Sequence, residues 1–457
     1  MSHMNKVLLS FLGAAALNVA GCAVMDKDDD FVYQGAVEEL SVRNAYYSLE
    51  NIVREKNVLY VGASAVEITP QKNAYLAGFQ VGRKSTGVND ELFARSVVLS
   101  YNDTTIAFVS LDLIGFMNEN VDDVRCLVSQ IKGSNIDEVI ISSTHTHSGP
   151  DTVGMWGPGF IVLPVGSGLD EDYMKFLYDK IVESVYRAAK EQKKARLFYA
   201  SKEVSADKKI SRNIHKELAD DIDRTLNVVE AVDDSGKSIV VIANYGCHPE
   251  ALSRNNTEFS SDFVGVLRDE LEKKCGGTAV FLQGSIGCLV SVDVDDEKWK
   301  KTKYGLKEMY RIGKSLADEV ELCLKTKKEC VKPEIKVQRD DFLVPVENWL
   351  FQFANDVGLV AKRDFCGSVK TEMVFVDIGG VIQMMTVPGE ISPSLGKKLK
   401  EYMNADQKII IGLGQDETGY VPENFEHHAL GYERTMSPGP KTRDLLLEHG
   451  KNLTKKK

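Results

Sequence analysis

The chain contains no Cys-x-x-Cys pair, no visible internal repeat and no Pro/Gly/Ser-rich linker through its body. The first absence removes the usual ligand spacing of a structural zinc cluster. The second removes solenoid architectures, and the third removes an obvious boundary between domains, so the body reads as one domain. Basic residues are also in deficit: 56 Lys and Arg against 67 Asp and Glu leave a net charge of −11. The basic cluster Lys455-Lys456-Lys457 reads as a solvated tail, so nucleic acid is not expected as a partner. What remains, 43% hydrophobic and 27% charged, is the composition of an ordinary folded domain rather than a disordered or fibrous chain.

The N-terminus reads as targeting sequence. Met1-Ser2-His3 ahead of Met4 has the form of a cloning scar, and Asn5-Lys6 leads into an apolar stretch from Val7 to Gly21. That stretch is short for a membrane span but right for a signal-peptide core. It ends Val19-Ala20-Gly21-Cys22, which resembles the bacterial lipobox; the resemblance implies cleavage before Cys22, lipidation of that cysteine, and anchoring at the cell envelope. An ordinary secretory signal with a chance cysteine is the alternative. Residues 1–22 are thus set aside, 23–57 form an acidic tether and a helix over Glu38–Glu55, and 58–457 form the domain. Seven cysteines remain after Cys22, an odd number that cannot all pair internally. Most are expected as buried thiols, with Cys275–Cys288 or Cys323–Cys330 open to bridging.

Hydrophobic patterning from Val58 onward interleaves strands and helices. Strands are predicted at Val58–Ile68, Ala94–Tyr101, Thr105–Leu111, Glu138–Thr144, Lys194–Ala200, Ser238–Tyr245 and Thr278–Gln283. Further strands follow at Lys336–Val344, Glu372–Ile378, Val381–Thr386 and Lys408–Gly412. Helices are predicted at Val121–Ile131, Glu171–Gln192, Val264–Lys274, Leu306–Thr326 and Pro393–Met403. Several strands are adjacent in sequence, which predicts an α/β fold with mixed sheets flanked by helices rather than a pure parallel sheet.

The segment Val139–Pro150, VIISSTHTHSGP, runs a β-branched strand into His145 and His147, two of only eight histidines. Side chains two apart on a strand share a face, so both imidazoles are expected to project together at a carboxyl strand end, where open α/β sheets place ligand sites. Two polar residues exposed to water are the plainer alternative. Three more apolar strands end similarly: VVIANYGCHPE at His248, VIQMMTVPGE at Glu390, and KIIIGLGQDETGY at Asp416 and Tyr420. Two histidines and a carboxylate make up a catalytic zinc set. Each also has a simpler reading: His248 as a capped loop residue, Cys247 beside it as a thiol nucleophile, and Glu390 as the start of the next helix.

The order of these segments resembles the amidase domain of the neutral/alkaline, non-lysosomal ceramidase family, from about Leu59 to Pro440. The matching pieces are Val66-Glu67-Ile68-Thr69-Pro70, Leu76-Ala77-Gly78-Phe79, Ala94-Arg95, Ser110-Leu111-Asp112-Leu113 and Thr144-His145-Thr146-His147-Ser148-Gly149-Pro150. His248, Ser261-Asp262, Val387-Pro388-Gly389-Glu390 and Gly419-Tyr420 follow in order. The resemblance implies one Zn2+ held by His145, His248, Glu390 and Tyr420, the alternative for Tyr420 being a phenol that hydrogen-bonds a ligand rather than the metal. It further implies that His147 faces the substrate carbonyl or shuttles a proton, that Tyr432 stabilises an oxyanion, and that Gly78 forms a close backbone wall. It also casts Arg212 as substrate-facing, a surface ion pair being the alternative. The implied reaction is hydrolysis of a lipid N-acyl amide.

The chain departs from that pattern in Phe281-Leu282-Gln283-Gly284-Ser285-Ile286-Gly287-Cys288. Glycine occupies the serine position, Ser285 (the candidate substrate contact) comes one place late, and Cys288 stands where aspartate is usual. Cys247-His248-Pro249-Glu250 also differs. The sequence ends without room for the β-sandwich of longer members. The apolar loop Asp151–Leu169 either lines a substrate entrance or packs on the body. A different amide or ester substrate, such as a glycoconjugate, and a non-catalytic surface-binding lipoprotein are therefore the competing expectations.

Overall fold

The β-branched runs pair into two mixed sheets in the computed structural model, which describes residues 47–50, 52–160, 163–293, 296–356, 358–360 and 367–455. The lipobox, the acidic tether, Cys366 and the first part of the Glu38–Glu55 segment lie outside these residues.

The larger sheet contains β1 (Leu59–Glu67), β2 (Phe93–Tyr101), β3 (Thr104–Leu111), β4 (Glu138–Ser143), β5 (Lys193–Glu203), β6 (Thr225–Asp233), β7 (Ser238–Tyr245) and β8 (Thr278–Gln283). Their order across the sheet is β8-β7-β6-β5-β1-β2-β3-β4, with Lys328–Cys330 also pairing with β5. The outer pairs β3–β4 and β7–β8 are parallel and the inner ladders antiparallel. A second sheet orders β9 (Ile335–Pro345), β10 (Ser368–Ile378), β11 (Ile382–Val387) and β12 (Gln407–Gly412), with β11–β12 parallel.

The two-residue alternation of side chains decides how these sheets stack. On β2, Val97 and Leu99 enter a core shared with Val374, Val376, Met384 and Ile411 of the second sheet, while Ala94 and Val98 face helices. Likewise Val240 and Ile242 of β7 enter the shared core, whereas Val241 and Ala243 face the other way. The result is four layers, helix–sheet–sheet–helix. Helices α1 (Asn118–Ser129) and α2 (Glu171–Lys190) cover one half of the large sheet, and α3 (Phe263–Cys275) and α4 (Thr302–Leu324) cover the other. On the small sheet's outer face lie α6 (Pro393–Glu401) and α8 (Lys441–Lys455), which follow and flank the short helices α5 (Trp349–Asp356) and α7 (Gly431–Thr435). The predicted mixed α/β class is the observed one.

One expectation needs correction. Residues 47–50 and 52–55 are not helical. Leu49 is instead buried, its N–H bonded to Lys132 O at 2.8 Å, because Ser48 bridges Lys132 in parallel. The two cysteine pairs left open to bridging are not bonded: Cys126, Cys247, Cys275, Cys288, Cys323 and Cys330 are all free thiols, as expected for most of them. Cys275 ends α3, Cys323 lies inside α4, and Cys330 sits in the shared core, so packing rather than crosslinking uses them.

Candidate metal centre

The segments that follow β4, β7, β8, β11 and β12 meet at the seam between the sheets: Gln283 bonds the carbonyls of Thr144 and Cys247, Ser142 bonds Gly412 O, and Glu390 reaches His248. β4 is buried along its whole length and ends at Ser143, two residues before the first histidine. His145 adopts φ +69°, a left-handed conformation rare outside glycine. It is fixed by His145 N donating to Leu113 O at 2.9 Å and by a 2.6 Å contact of ring Nδ1 with Ile114 O. The two imidazoles thus converge through a turn rather than through the strand pleat, with ring centroids 5.1 Å apart.

His248, beyond the end of β7, brings its ring to 4.8 Å from His145 and 5.4 Å from His147. His147 N donates to Pro249 O at 3.0 Å, tying the two histidine loops together. The buried Arg83 guanidinium donates to the carbonyls of His147 and Ala77. Gly78, at φ +97°, lies so close to the His147 ring that a Cβ there would overlap it. Behind the histidines, buried Arg268 donates to both oxygens of Asp112 at 2.9 and 2.7 Å, and Asp112 in turn accepts from Phe93 N.

The small sheet supplies the carboxylates. Glu390–Ile391 pairs in parallel with Tyr420–Val421, which sets Glu390 beside Tyr420. Helix α6 is capped by Ser392, with Pro393 in its first turn, so Glu390 is left to the site rather than to the helix end. Glu390 Oε2 lies 3.0 Å from His248 Nε2 and 3.5 Å from His145 Nε2. Tyr420 hydrogen-bonds the same carboxylate.

Electrostatics follow from this crowding. Burial would raise the Glu390 carboxyl, but His145 and His248 override it and hold the group well below the usual carboxylate range. Burial opposes charge on His145 too, yet Glu390 and Glu417 push it up to about 9. His147 goes the other way: burial, then the charges of His145 and His248, lower it well below an ordinary imidazole. Burial raises the Tyr420 phenol well above its usual range, and Glu390 adds to the effect.

Sequence reasoning missed two buried acids. Glu417 clusters with His145 and Glu390, and is pushed up to about 8 by burial and by Glu390. Glu250, pushed up to about 8 by burial and Asp262, lies 3.8 Å from His147 Nδ1. Both were written beside residues already singled out, in Asp416-Glu417 and His248-Pro249-Glu250, and their burial was the only distinguishing signal.

The donors fit a divalent metal. One ligand atom each from His145, His147 and His248 lies within 4.8 Å of the others, as do those of His145, Glu390 and Glu417. Both ring nitrogens of His147 are buried without a hydrogen-bond partner, a costly condition that a bound ligand relieves. Imidazole with carboxylate suits a borderline cation.

His145, His147, Glu390 and Glu417 form the floor of a cavity of roughly 760 Å³, including its open mouth, whose walls are apolar: Ile114, Met117, Val153, Trp156 and Phe351. Trp156 is positioned by its own N–H on Asp151 at 2.7 Å and by its indole on Phe79 O at 3.1 Å. The Asp151–Leu169 loop therefore contributes to the entrance. Gly78, Tyr420 and Tyr432 also line the cavity. Tyr432 exposes 61% of its surface at the rim, its ring centroid 5.6 Å from that of Tyr420. Arg212 and Ser285 are not among the lining residues. Arg212 pairs with Asp293 at 2.9 Å, and Ser285 is buried against Gly396. Cys247 is fully buried with its thiol on Ile210 O at 3.2 Å, and burial keeps that thiol protonated, unlike a nucleophile.

A mixed α/β scaffold with a buried histidine–carboxylate centre under an apolar cavity defines the class. The family described as neutral/alkaline non-lysosomal ceramidase, N-terminal, matches residues 59–296, just over half of the chain, and the protein belongs to that family. It is 26% identical over 223 residues to the neutral ceramidase of Pseudomonas aeruginosa, covering 45% of this chain and 33% of that one. It is 25% identical over 269 residues to neutral ceramidase A of Dictyostelium discoideum, covering 54% and 37%. The matches thus span about a third of those relatives. The crystal structure of the Pseudomonas aeruginosa neutral ceramidase superposes with TM-score 0.70 at 18% identity, over 88% of this chain and 75% of that one. A ceramidase complexed with C2 gives 0.69 at 17%, over 87% and 75%.

Proposed function

We propose that this protein is a zinc-dependent hydrolase of N-acyl amides, with a lipid amide of the N-acylsphingosine class as substrate. The observation that carries the reading is the convergence of His145, His147, His248 and Glu390 beneath an apolar cavity. Family membership and the ceramidase fold support it. In this reading His145, His248, Glu390 and Tyr420 hold the metal, and His147 faces the substrate. Zinc bound there would make water acidic and polarise the scissile carbonyl.

The chain's own groups supply the rest. Apolar walls strip water from an acyl chain and orient the amide toward the floor. Tyr432, a phenol at the rim that is protonated at neutral pH like any tyrosine, donates to negative charge developing on the carbonyl oxygen. His147, the ring that faces the substrate in this reading, takes a proton from the attacking water and returns it to the leaving amine. Gly78 leaves room for that ring. A lipid anchor at Cys22, which lies outside the described residues, would hold the cavity near membrane lipids, and is part of the proposal.

One observation favours a second reading with the same centre, a different amide or ester. Gly284 stands where the family carries serine, and Ser285 turns away from the cavity. Purified protein loaded with zinc and offered N-acylsphingosine, acylated sugars and simple esters separates these readings. Fatty-acid release from the sphingolipid supports the first; turnover of only non-lipid substrates supports the second. A protein without bound metal, indifferent to His145→Ala, overturns both and leaves the non-catalytic binding lipoprotein.

A further inference from the structure

A second cluster of ligating side chains lies outside the centre described above. Arg212–Asn213 pairs antiparallel with Leu289–Val290, and Ile214 N donates to Cys288 O at 2.9 Å. This small ladder carries His215 and Cys288 to the same place. Glu433, on α7 next to Tyr432, completes the group: His215 Nε2 lies 2.7 Å from Glu433 Oε1. One ligand atom from each of His215, Cys288 and Glu433 lies within 4.8 Å of the other two. A tetrahedral zinc site with bonds of about 2.0–2.3 Å needs donors roughly 3.3–3.8 Å apart, which small side-chain rotations reach from here.

Two further observations point to a ligand. Glu433 is only 3% exposed, and its second oxygen, Oε2, is buried with no hydrogen-bond partner. Cys288 is buried at φ +71°, an unusual backbone for a non-glycine residue, and its thiol faces the Glu433 carboxylate. A buried carboxylate with an orphaned oxygen beside a buried thiol and an imidazole is a costly arrangement for a protein to keep empty.

We propose that His215, Cys288 and Glu433 form a second divalent-metal site, of zinc class, that staples α7 and its Tyr432 to the body. Thiolate, carboxylate and neutral imidazole give a net charge of −2, which a divalent cation neutralises. Binding releases the Cys288 proton to solvent and leaves a fourth position open. The site differs from the His145 centre in having sulfur. Because Glu433 follows Tyr432 directly, the metal fixes the rim of the cavity without touching substrate. The inference does not depend on which amide or ester is cleaved.

The sulfur ligand gives the test its signature. The full-length protein is loaded with Co2+ and with Zn2+, and each variant is compared by metal content and by thiolate-to-cobalt absorption in the near ultraviolet. Wild type is expected to hold two metals per chain and to show the absorption. Cys288→Ser and His215→Ala should each hold one and lose it. The double variant His145→Ala/His248→Ala should hold one and keep it, separating this site from the proposed catalytic centre. If Cys288→Ser does not fold, half-buried His215 offers the gentler variant, and the absorption of wild type still decides. Metal-loaded wild type without thiolate absorption, or absorption that survives in Cys288→Ser, overturns the proposal; a single metal that carries the absorption supports it and counts instead against metal at the His145 centre.

Discussion

The Gln283 side chain donates to Thr144 O at 2.7 Å, joining the last residue of β8 to the residue immediately before His145. The same amide donates to Cys247 O at 3.0 Å and its oxygen accepts from Cys247 N at 3.2 Å, so one side chain grips both histidine-bearing loops. Replacing it with leucine removes this partner from the carbonyls of Thr144 and Cys247 and from the amides of Cys247 and Gly284. The expected loss is about 2–5 kcal/mol of stability, since each orphaned buried group costs about 1–3 kcal/mol. Zinc affinity should fall about 10–100-fold, as for other residues that orient metal ligands. Denaturant unfolding with chelator and zinc titration measure the two separately; unchanged zinc affinity would contradict the clamp.

His145 and His147 are expected to differ when truncated. His145→Ala should abolish metal binding at the main centre. His147→Ala should keep the metal and lower kcat by about 10²–10⁴-fold, the range for a lost acid–base group. Metal content of the two variants, read alongside turnover, checks this. Equal metal loss in both would make His147 a ligand, which its position among the three rings also allows geometrically.

Gly78→Ala places a methyl group into the His147 ring at a backbone φ of +97°. The strain of that conformation costs about 1–2 kcal/mol in a non-glycine residue. The ring must also move, so kcat/KM should fall while metal content stays at the wild-type level. Wild-type kinetics in Gly78→Ala would show that His147 has slack and that its position is not critical.

Asp262 caps α3 and is pushed up from 3.8 to about 6 by burial, despite hydrogen bonds from Leu252 N and Phe263 N. A raised carboxyl means that the folded protein holds this proton more tightly than the unfolded chain. Its contribution is present in full below the ordinary value and is lost as pH rises through about 6. Asp262→Asn should remove this part of the slope. The stability of wild type relative to the variant should therefore decline by on the order of 3 kcal/mol across that window. Denaturation midpoints at several pH values give the comparison, and parallel curves would refute it.

Elements with uninterrupted β-branched runs, such as β4, β7, β8 and β12, were legible in the sequence almost to the residue. By contrast β6 was not, because Asn227 and Glu230 interrupt its apolar pattern; both are buried, with Asn227 on Asn244 and Glu230 paired to Lys327. Burial of polar residues through tertiary partners leaves no local periodic trace. Helix α8 was also missed, since its buried Thr442, Leu446, Gly450 and Leu453 make a narrow stripe among charges. The stacking of the two sheets depends on which strand faces match, and no local pattern encodes that. At the site, strand ends drew attention to His145, His248, Glu390 and Tyr420 because an apolar run stops there abruptly. Glu417 and Glu250 gave no such signal, because an acidic residue in a loop is ordinary until its burial is known.

The imidazoles at the centre all come from the larger sheet, and Glu390, Glu417 and Tyr420 all follow strands of the smaller one. The two halves also meet where Gln415 N donates to Ile141 O and Ile141 N donates to Gln415 Oε1, each at 2.8 Å. A cation at this seam would therefore act as a clasp, its binding and the docking of the sheets being one thermodynamic event. Chelation should then loosen the sandwich from the cavity inward, and resistance to chelator becomes a gauge of how firmly the two sheets hold each other.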